Sequence, residues 1–278
     1  MSTFFKKKIS AFELAKELSL KITGFEEQYI ESIKSIEYAK HNTLSYSKFQ
    51  SKKHLNGIII GSADLNAETL LISKNPRLDF CKALNFLIDK KYLFIKKENS
   101  YIHPSSKLSK SVILEDGVKI GSGSVIEHNV VIHKNTSIGE NCIIRANTVI
   151  GAQGFGFQKD TNDNWVRFPH LGKVIIGNNV EIGALNSICV GSLGDTLINS
   201  GVKTDNLVHI AHNCTIGKDT LLTAGVILAG GVSIAENCFK KLESKQFKES
   251  RELVIQKINS YYLICKLRKN LSETLLGL

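Results

Sequence analysis

From Ile102 to Ile150 an aliphatic side chain returns at every sixth position: Ile102, Leu108, Leu114, Ile120, Ile126, Ile132, Ile138, Ile144 and Ile150. This unbroken run is unlike the alternation of a half-buried sheet, whose period is two and whose turns fall irregularly. A small or β-branched residue stands two positions earlier in most hexads, at Val112, Val118, Ser124, Val130, Thr136, Cys142 and Thr148. Gly121, Gly139 and Gly151 directly follow the aliphatic residue. The pattern predicts short strands that each bury one aliphatic side chain and then turn a corner, the signature of a parallel β-helix.

The phase breaks twice. "GAQGFGFQKDTNDNWVRFPHLGKVI", between Ile150 and Ile176, is too long for a corner and should leave the prism as a loop. The period resumes at Ile176, Ile182 and Ile188, slips by four residues through "CVGSLGDTL", and runs on through Ile198, Thr204, Ile210, Ile216, Leu222, Leu228 and Ile234. It is expected to end there, because position 240 is Lys. At three hexads to a triangular coil, the repeat amounts to about six coils.

Upstream, "SAFELAKELSL" pairs a Ser N-cap with helical apolar spacing, "LNGIIIGS" and "ETLLISKN" read as buried strands, and "PRLDFCKALNFLIDKK" opens on a helix-starting Pro. These elements predict an α/β domain over residues 1–98, followed by the prism over 99–239. Residues 240–278 lose the hexad, space Leu253, Ile258, Tyr262 and Leu267 as a helix would, and carry nine Lys or Arg against four Asp or Glu. A basic helical segment is expected, either packed at the prism end or docking something acidic.

The chain has 278 residues, 42% of them hydrophobic, enough for one large core or two smaller ones. It reads as a soluble globular protein. No segment has the continuous apolar run of a membrane span, and the N-terminus lacks the pattern of a secretory signal. Six scattered cysteines, without a CxxC or a metal-ligand spacing, suggest reduced thiols in the cytoplasm and no metal. A net charge of +10 points to an acidic partner without choosing between nucleic acid, membrane and protein.

The hexads, "IGAQGFGF" leading into "NWVRFPHLGKVIIGNNVEIGA", then "GSLGDTLI" and "TDNLVHIAHNCTIG", together resemble the UDP-3-O-acylglucosamine N-acyltransferases of lipid A biosynthesis over most of residues 10–238. The resemblance implies a mainly β, left-handed parallel β-helix assembled as a homotrimer, with active sites between subunits. It implies transfer of a 3-hydroxyacyl chain from acyl carrier protein to the 2-amine of a UDP-sugar lipid precursor. No cofactor, nucleic acid or integral membrane span is implied.

Carried over residue by residue, the "IAHN" motif makes His212 the general base, a role that suits imidazole because an amine attacking a thioester must shed a proton near neutral pH. Asp205 and Asn206 match an acidic and amide pair that could orient the sugar amine or the imidazole; an Asp-Asn turn is the plain alternative. Tyr46 is placed to stack on uracil, and Phe155 and Phe157 to line substrate. His209 is expected to be a substrate-side contact or a surface residue. Independently of the resemblance, Gly230 follows His212 by 18 residues and so occupies the same angle one coil on, about 4.8 Å along the axis. Its amide would be open to an oxyanion, although corner geometry alone would also select glycine.

The chain departs from the family pattern in three places. It has no Gly-His pair after Ile234, Cys189-Val190 stand where Asp-Arg is usual, and Phe49 stands where the uracil-holding Asn is expected. Two alternatives remain open on sequence: an acetyl-CoA-dependent nucleotide-sugar acetyltransferase, and a catalytically inactive paralogue with a structural role.

Overall fold

In the computed structural model, which describes residues 3–49, 53–95 and 98–240, the hexad positions become parallel strands, most of them two residues long. Ile120 pairs with Ile138, Ile126 with Ile144 and Ile132 with Ile150, so 18 residues return the chain to the same face. Three parallel sheets result, one of six strands and two of seven, forming a left-handed β-helix. In the two-residue strands from Lys119–Ile120 to Ser233–Ile234 the first residue is the more exposed and the second is buried, and the inward column from Ile120 to Ile234 forms one continuous core. Corners are turned in the left-handed region by asparagines such as Asn129, Asn141, Asn147 and Asn213, at φ 57°, 52°, 59° and 61°. Asparagine's short polar side chain makes that conformation cheaper than it is for other non-glycine residues.

The ladder runs one strand beyond Ile234. Phe239–Lys240 pairs with Leu221–Leu222, and the Thr223 amide donates to the Lys240 carbonyl at 2.9 Å. The expectation that Lys240 ends the repeat fails because the ladder needs only its backbone, and an end coil tolerates a half-buried Lys stem on the inward position. The basic helical segment expected from residue 240 lies, from 241 on, outside the described residues.

Residues 1–98 form a separate compact unit together with 153–173 and 191–195, the two stretches where the hexad breaks. Its five-stranded sheet runs in the order Lys21–Gly24, Ala67–Ile72, Leu55–Gly61, Thr43–Tyr46, Ser32–Ile33, antiparallel only at the first pairing. Helix α1, Ala11–Glu17, starts at a capping box in which Ser10 and Glu13 bond each other's backbone amides. Helix α2, Pro76–Asp89, starts at Asn75, whose side chain accepts from the Leu78 amide. The long insertion folds back as a hairpin, Phe157–Lys159 with Trp165–Arg167, and is not an open loop. Phe168, Leu171 and Leu193 join the core around Phe80 and Leu84. The Cys81 thiol and the Asn85 amide of α2 both reach the Arg167 carbonyl, at 3.1 and 3.0 Å.

Thr204 is the polar member of the inward column. Its Oγ1 accepts from the Gly183 amide at 3.1 Å, and the same amide also reaches the Thr204 carbonyl at 3.0 Å. Thr204→Val therefore leaves no orphaned donor and should change stability by less than about 1 kcal/mol. Ile144→Ala opens a cavity between coils and should cost about 3 kcal/mol. Denaturant midpoints of the two variants check this; equal shifts would contradict it.

Candidate active site

The turn after strand His209–Ile210 presents the principal candidate. His212 is half-buried, and the Gly231 amide of the next coil donates to its carbonyl at 2.8 Å. Gly230 lies directly over the imidazole: a methyl group built there would fall 2.5 Å from Nε2 and 2.9 Å from Nδ1. Only a residue without a Cβ permits this approach. Among the described residues the Gly230 amide has no hydrogen-bond partner.

Asn213 Oδ1 lies 3.1 Å from His212 Nδ1. An amide oxygen accepts there from the Nδ1–H tautomer, which leaves Nε2, the nitrogen beside Gly230, as the basic one. Asn213 is itself fixed, because its amide donates to Oγ1 of fully buried Thr196 at 3.0 Å. The arrangement can take a proton from an attacking group and offer a backbone N–H to developing negative charge. Thiol chemistry is disfavoured. Burial pushes the Cys81 and Cys214 thiols up to about 11 and raises those of Cys142 and Cys189, so none is a thiolate at neutral pH.

The other sequence candidates are not gathered around His212. His209 sits on the outer face of its strand, between Ser187 and Ile227 on neighbouring coils. Asp205 and Asn206 occupy the preceding corner, at the other end of that strand. The Asp205 carboxylate accepts from the Asn206 amide at 2.7 Å, and Asn206 Oδ1 accepts from the Ala184 amide at 2.8 Å. Both side chains are thus engaged in the corner itself, as the Asp-Asn turn reading expects. The corner is strained, since Leu207 and, one coil earlier, Leu185 stand at φ 60° and 58° while remaining 60% and 53% exposed.

In the other unit, the half-buried Tyr46 ring packs on Phe80, with centroids 4.7 Å apart, which leaves one ring face committed to the core. Burial raises its hydroxyl pKa, opposed by the nearby Arg77 charge. Phe49 is 80% exposed. On the hairpin, Phe155 is 88% exposed and meets Phe157 edge-on at 5.1 Å, with the Arg167 guanidinium 4.5 Å from the Phe157 ring centre. Sequence reasoning did not single out Arg77, whose only sequence mark is its place after Asn-Pro at a helix start, or Thr196, which reads as an ordinary strand residue. Among the described residues no cluster of His, Cys, Asp or Glu could hold a metal ion, and no helix is long and apolar enough to cross a membrane.

Residues 119–152 match the family model described as bacterial transferase hexapeptide (six repeats). A UDP-3-O-acylglucosamine N-acyltransferase of Coxiella burnetii is 31% identical over 257 residues, which is 80% of this chain and 74% of that protein. One of the same name from Dechloromonas aromatica is 49% identical over a shorter stretch of 80 residues, 29% of this chain and 23% of that protein. The solved structure of LpxA from Acinetobacter baumannii is 25% identical, covering 51% of this chain and 55% of that one at a TM-score of 0.38. With its hexapeptide repeat and its match along most of the Coxiella protein, the chain belongs to the UDP-3-O-acylglucosamine N-acyltransferase family, and it is an acyltransferase.

Proposed function

We propose that the chain moves a 3-hydroxyacyl group from acyl carrier protein to the 2-amine of a UDP-3-O-acylglucosamine in lipid A biosynthesis. The observation that carries this reading is the imidazole of His212 lying under the open amide of Gly230, in a chain of this family. The amine attacks the thioester carbonyl, and His212 Nε2 takes its proton. The oxyanion of the tetrahedral intermediate is held by the Gly230 N–H. Collapse forms the amide, breaks the carbon–sulfur bond and returns the proton from the imidazolium to the thiolate. Asn213, anchored by Thr196, holds the imidazole in the required tautomer.

In this reading Asp205 and Asn206 shape the substrate-facing corner, and the exposed faces of Phe155, Phe157 and Tyr46 contact the precursor. His209 is dispensable. The protein acts as a cytoplasmic homotrimer, a location that fits its free cysteines, five of them among the described residues. The trimer is supported by the outer face of the six-stranded sheet, where Ile113, Val131, Val149, Ser187, His209 and Ile227 carry no carboxylate or ammonium. Ile113 and Ile227 are 59% and 76% exposed, and such a face favours cover. The acidic carrier is supported by the net charge of +10.

His212→Ala should lower turnover by on the order of a hundred- to ten-thousand-fold with melting temperature and oligomeric state intact, while His209→Ala stays near wild type. Equal residual rates in the two variants would remove His212 from the mechanism.

Gly230→Ala should displace the imidazole. The expected outcome is a changed His212 Hε1 resonance and a turnover loss comparable to that of His212→Ala. An unchanged resonance with normal turnover would contradict the close approach.

Single-turnover assays should show acyl transfer from hydroxyacyl carrier protein, weakening steeply with salt, and none from acetyl-CoA. Turnover with acetyl-CoA alone would shift the assignment to an acetyltransferase.

A further inference from the structure

A groove in the unit formed by residues 1–98 with the insertion is lined by residues 3–8, 25, 27–31 and 41–42. Strand Thr3–Phe5 pairs with Leu93–Ile95, and Lys6, Lys7 and Lys8 follow it, all three exposed. Each ammonium lies over an aromatic ring: Lys6 Nζ is 5.6 Å from the centre of Phe94, Lys7 Nζ 5.9 Å from that of Tyr92 and Lys8 Nζ 5.4 Å from that of Tyr29. Among the described residues no carboxylate pairs with any of them. Glu68, beside His41, is engaged by that imidazole and by the Gly57 amide, which donates to it at 2.7 Å. Glu27 and Glu31 line the groove, so three cations there face two carboxylates. Phe4 and Tyr29 are exposed, and Phe25 is 66% exposed.

Aromatic rings left in water within one groove favour cover, and the charges beside them limit what can supply it. Protein interfaces are depleted of Lys and Glu, whose long side chains must be desolvated and ordered on binding. A groove with three lysines and two glutamates is therefore poorly suited to a protein partner. A lipid–water interface makes no such demand. There lysine stems lie along apolar surface while the ammonium stays among hydrated headgroups, and aromatic rings settle at headgroup depth. The phosphates of anionic phospholipids supply the counter-charge that Lys6, Lys7 and Lys8 lack. Glu27 and Glu31 oppose it, which keeps the attachment reversible.

We propose that this groove docks on the surface of an anionic phospholipid bilayer, with Lys6, Lys7 and Lys8 at the lipid phosphates and Phe4, Phe25 and Tyr29 at headgroup depth. Docking here needs no turnover, so it stands whether or not the acyl-transfer reading holds.

The test is flotation of the full chain with vesicles of phosphatidylcholine alone and of phosphatidylcholine mixed with phosphatidylglycerol. Wild type should float with the anionic vesicles only, and added salt should release it. Lys6→Gln, Lys7→Gln and Lys8→Gln combined should weaken binding about fivefold per lysine, on the order of a hundredfold together, with the melting temperature unchanged. A matched control, Lys107→Gln, Lys110→Gln and Lys134→Gln, removes three exposed prism lysines and should weaken binding far less. Glu27→Gln with Glu31→Gln should tighten it. The emission of Phe25→Trp, corrected for Trp165, should shift to the blue when anionic vesicles are added. The proposal is overturned if wild type does not float, or if both lysine triples weaken binding equally, which would reduce the effect to net charge. It is also overturned if the Phe25→Trp emission stays fixed while the protein floats, which would place the contact elsewhere. Self-association or binding of an acidic protein that depends on Lys6, Lys7 and Lys8, without vesicle binding, would overturn it in favour of a protein partner.

Discussion

The stacking of one aliphatic side chain on another at 18-residue intervals governs the rest of the prism. Each strand contributes a single inward residue, and the column from Ile120 to Ile234 is buried only because every coil covers the next. With strands about 4.8 Å apart, no coil can rotate against its neighbour without breaking both the ladder and the column. The corners inherit that precision. His212 meets Gly230 because they sit at one angle of consecutive coils, and Thr196 reaches Asn213 from the neighbouring coil, one position out of register.

Core and chemistry are thereby divided between strands and corners. The inward strand positions supply burial and almost no polar variety, whereas the corners supply exposed side chains and, at Gly230, an open amide. Asparagine and glycine turn most corners at low cost, which makes Leu185 and Leu207 informative. A left-handed backbone costs a leucine about 1–2 kcal/mol, and neither side chain recovers that cost by burial, since both are more than half exposed. Strain of this kind persists where the surroundings over-determine it. Leu207 directly follows Asp205 and Asn206, whose hydrogen bonds to the backbone fix the turn.

The repeat was legible from sequence because one residue per hexad carries both burial and register. The capping box of α1 was legible because it is local. The His212–Gly230 contact followed from coil arithmetic, once the period was known. The destination of residues 153–173 and 191–195 was not legible. A break in period says that the chain leaves the ladder and nothing about where Phe168, Leu171 and Leu193 bury. The strand at Phe239–Lys240 was hidden for the opposite reason, since a side-chain pattern is blind to pairing made by backbone alone. The resemblance assigns Tyr46 a stacking role, and sequence carries no sign that one face of its ring packs on Phe80, from a helix that starts 30 positions on.

One buried hydroxyl without a partner shows how the path of the chain can impose a local polar defect on an otherwise regular ladder. Along the prism, the hydroxyls of Ser124 and Thr220 donate to corner carbonyls of the next coil, at Gly139 and Ala235, and Thr148 does the same across the insertion to Gly183. Thr136 should find Gly151 by the same rule, but Gly151 stands at φ 88° beside the register shift between Ile150 and Ala152, where the chain departs, and Thr136 Oγ1 is left unsatisfied. The chain path accounts for that orphan, and it is neutral.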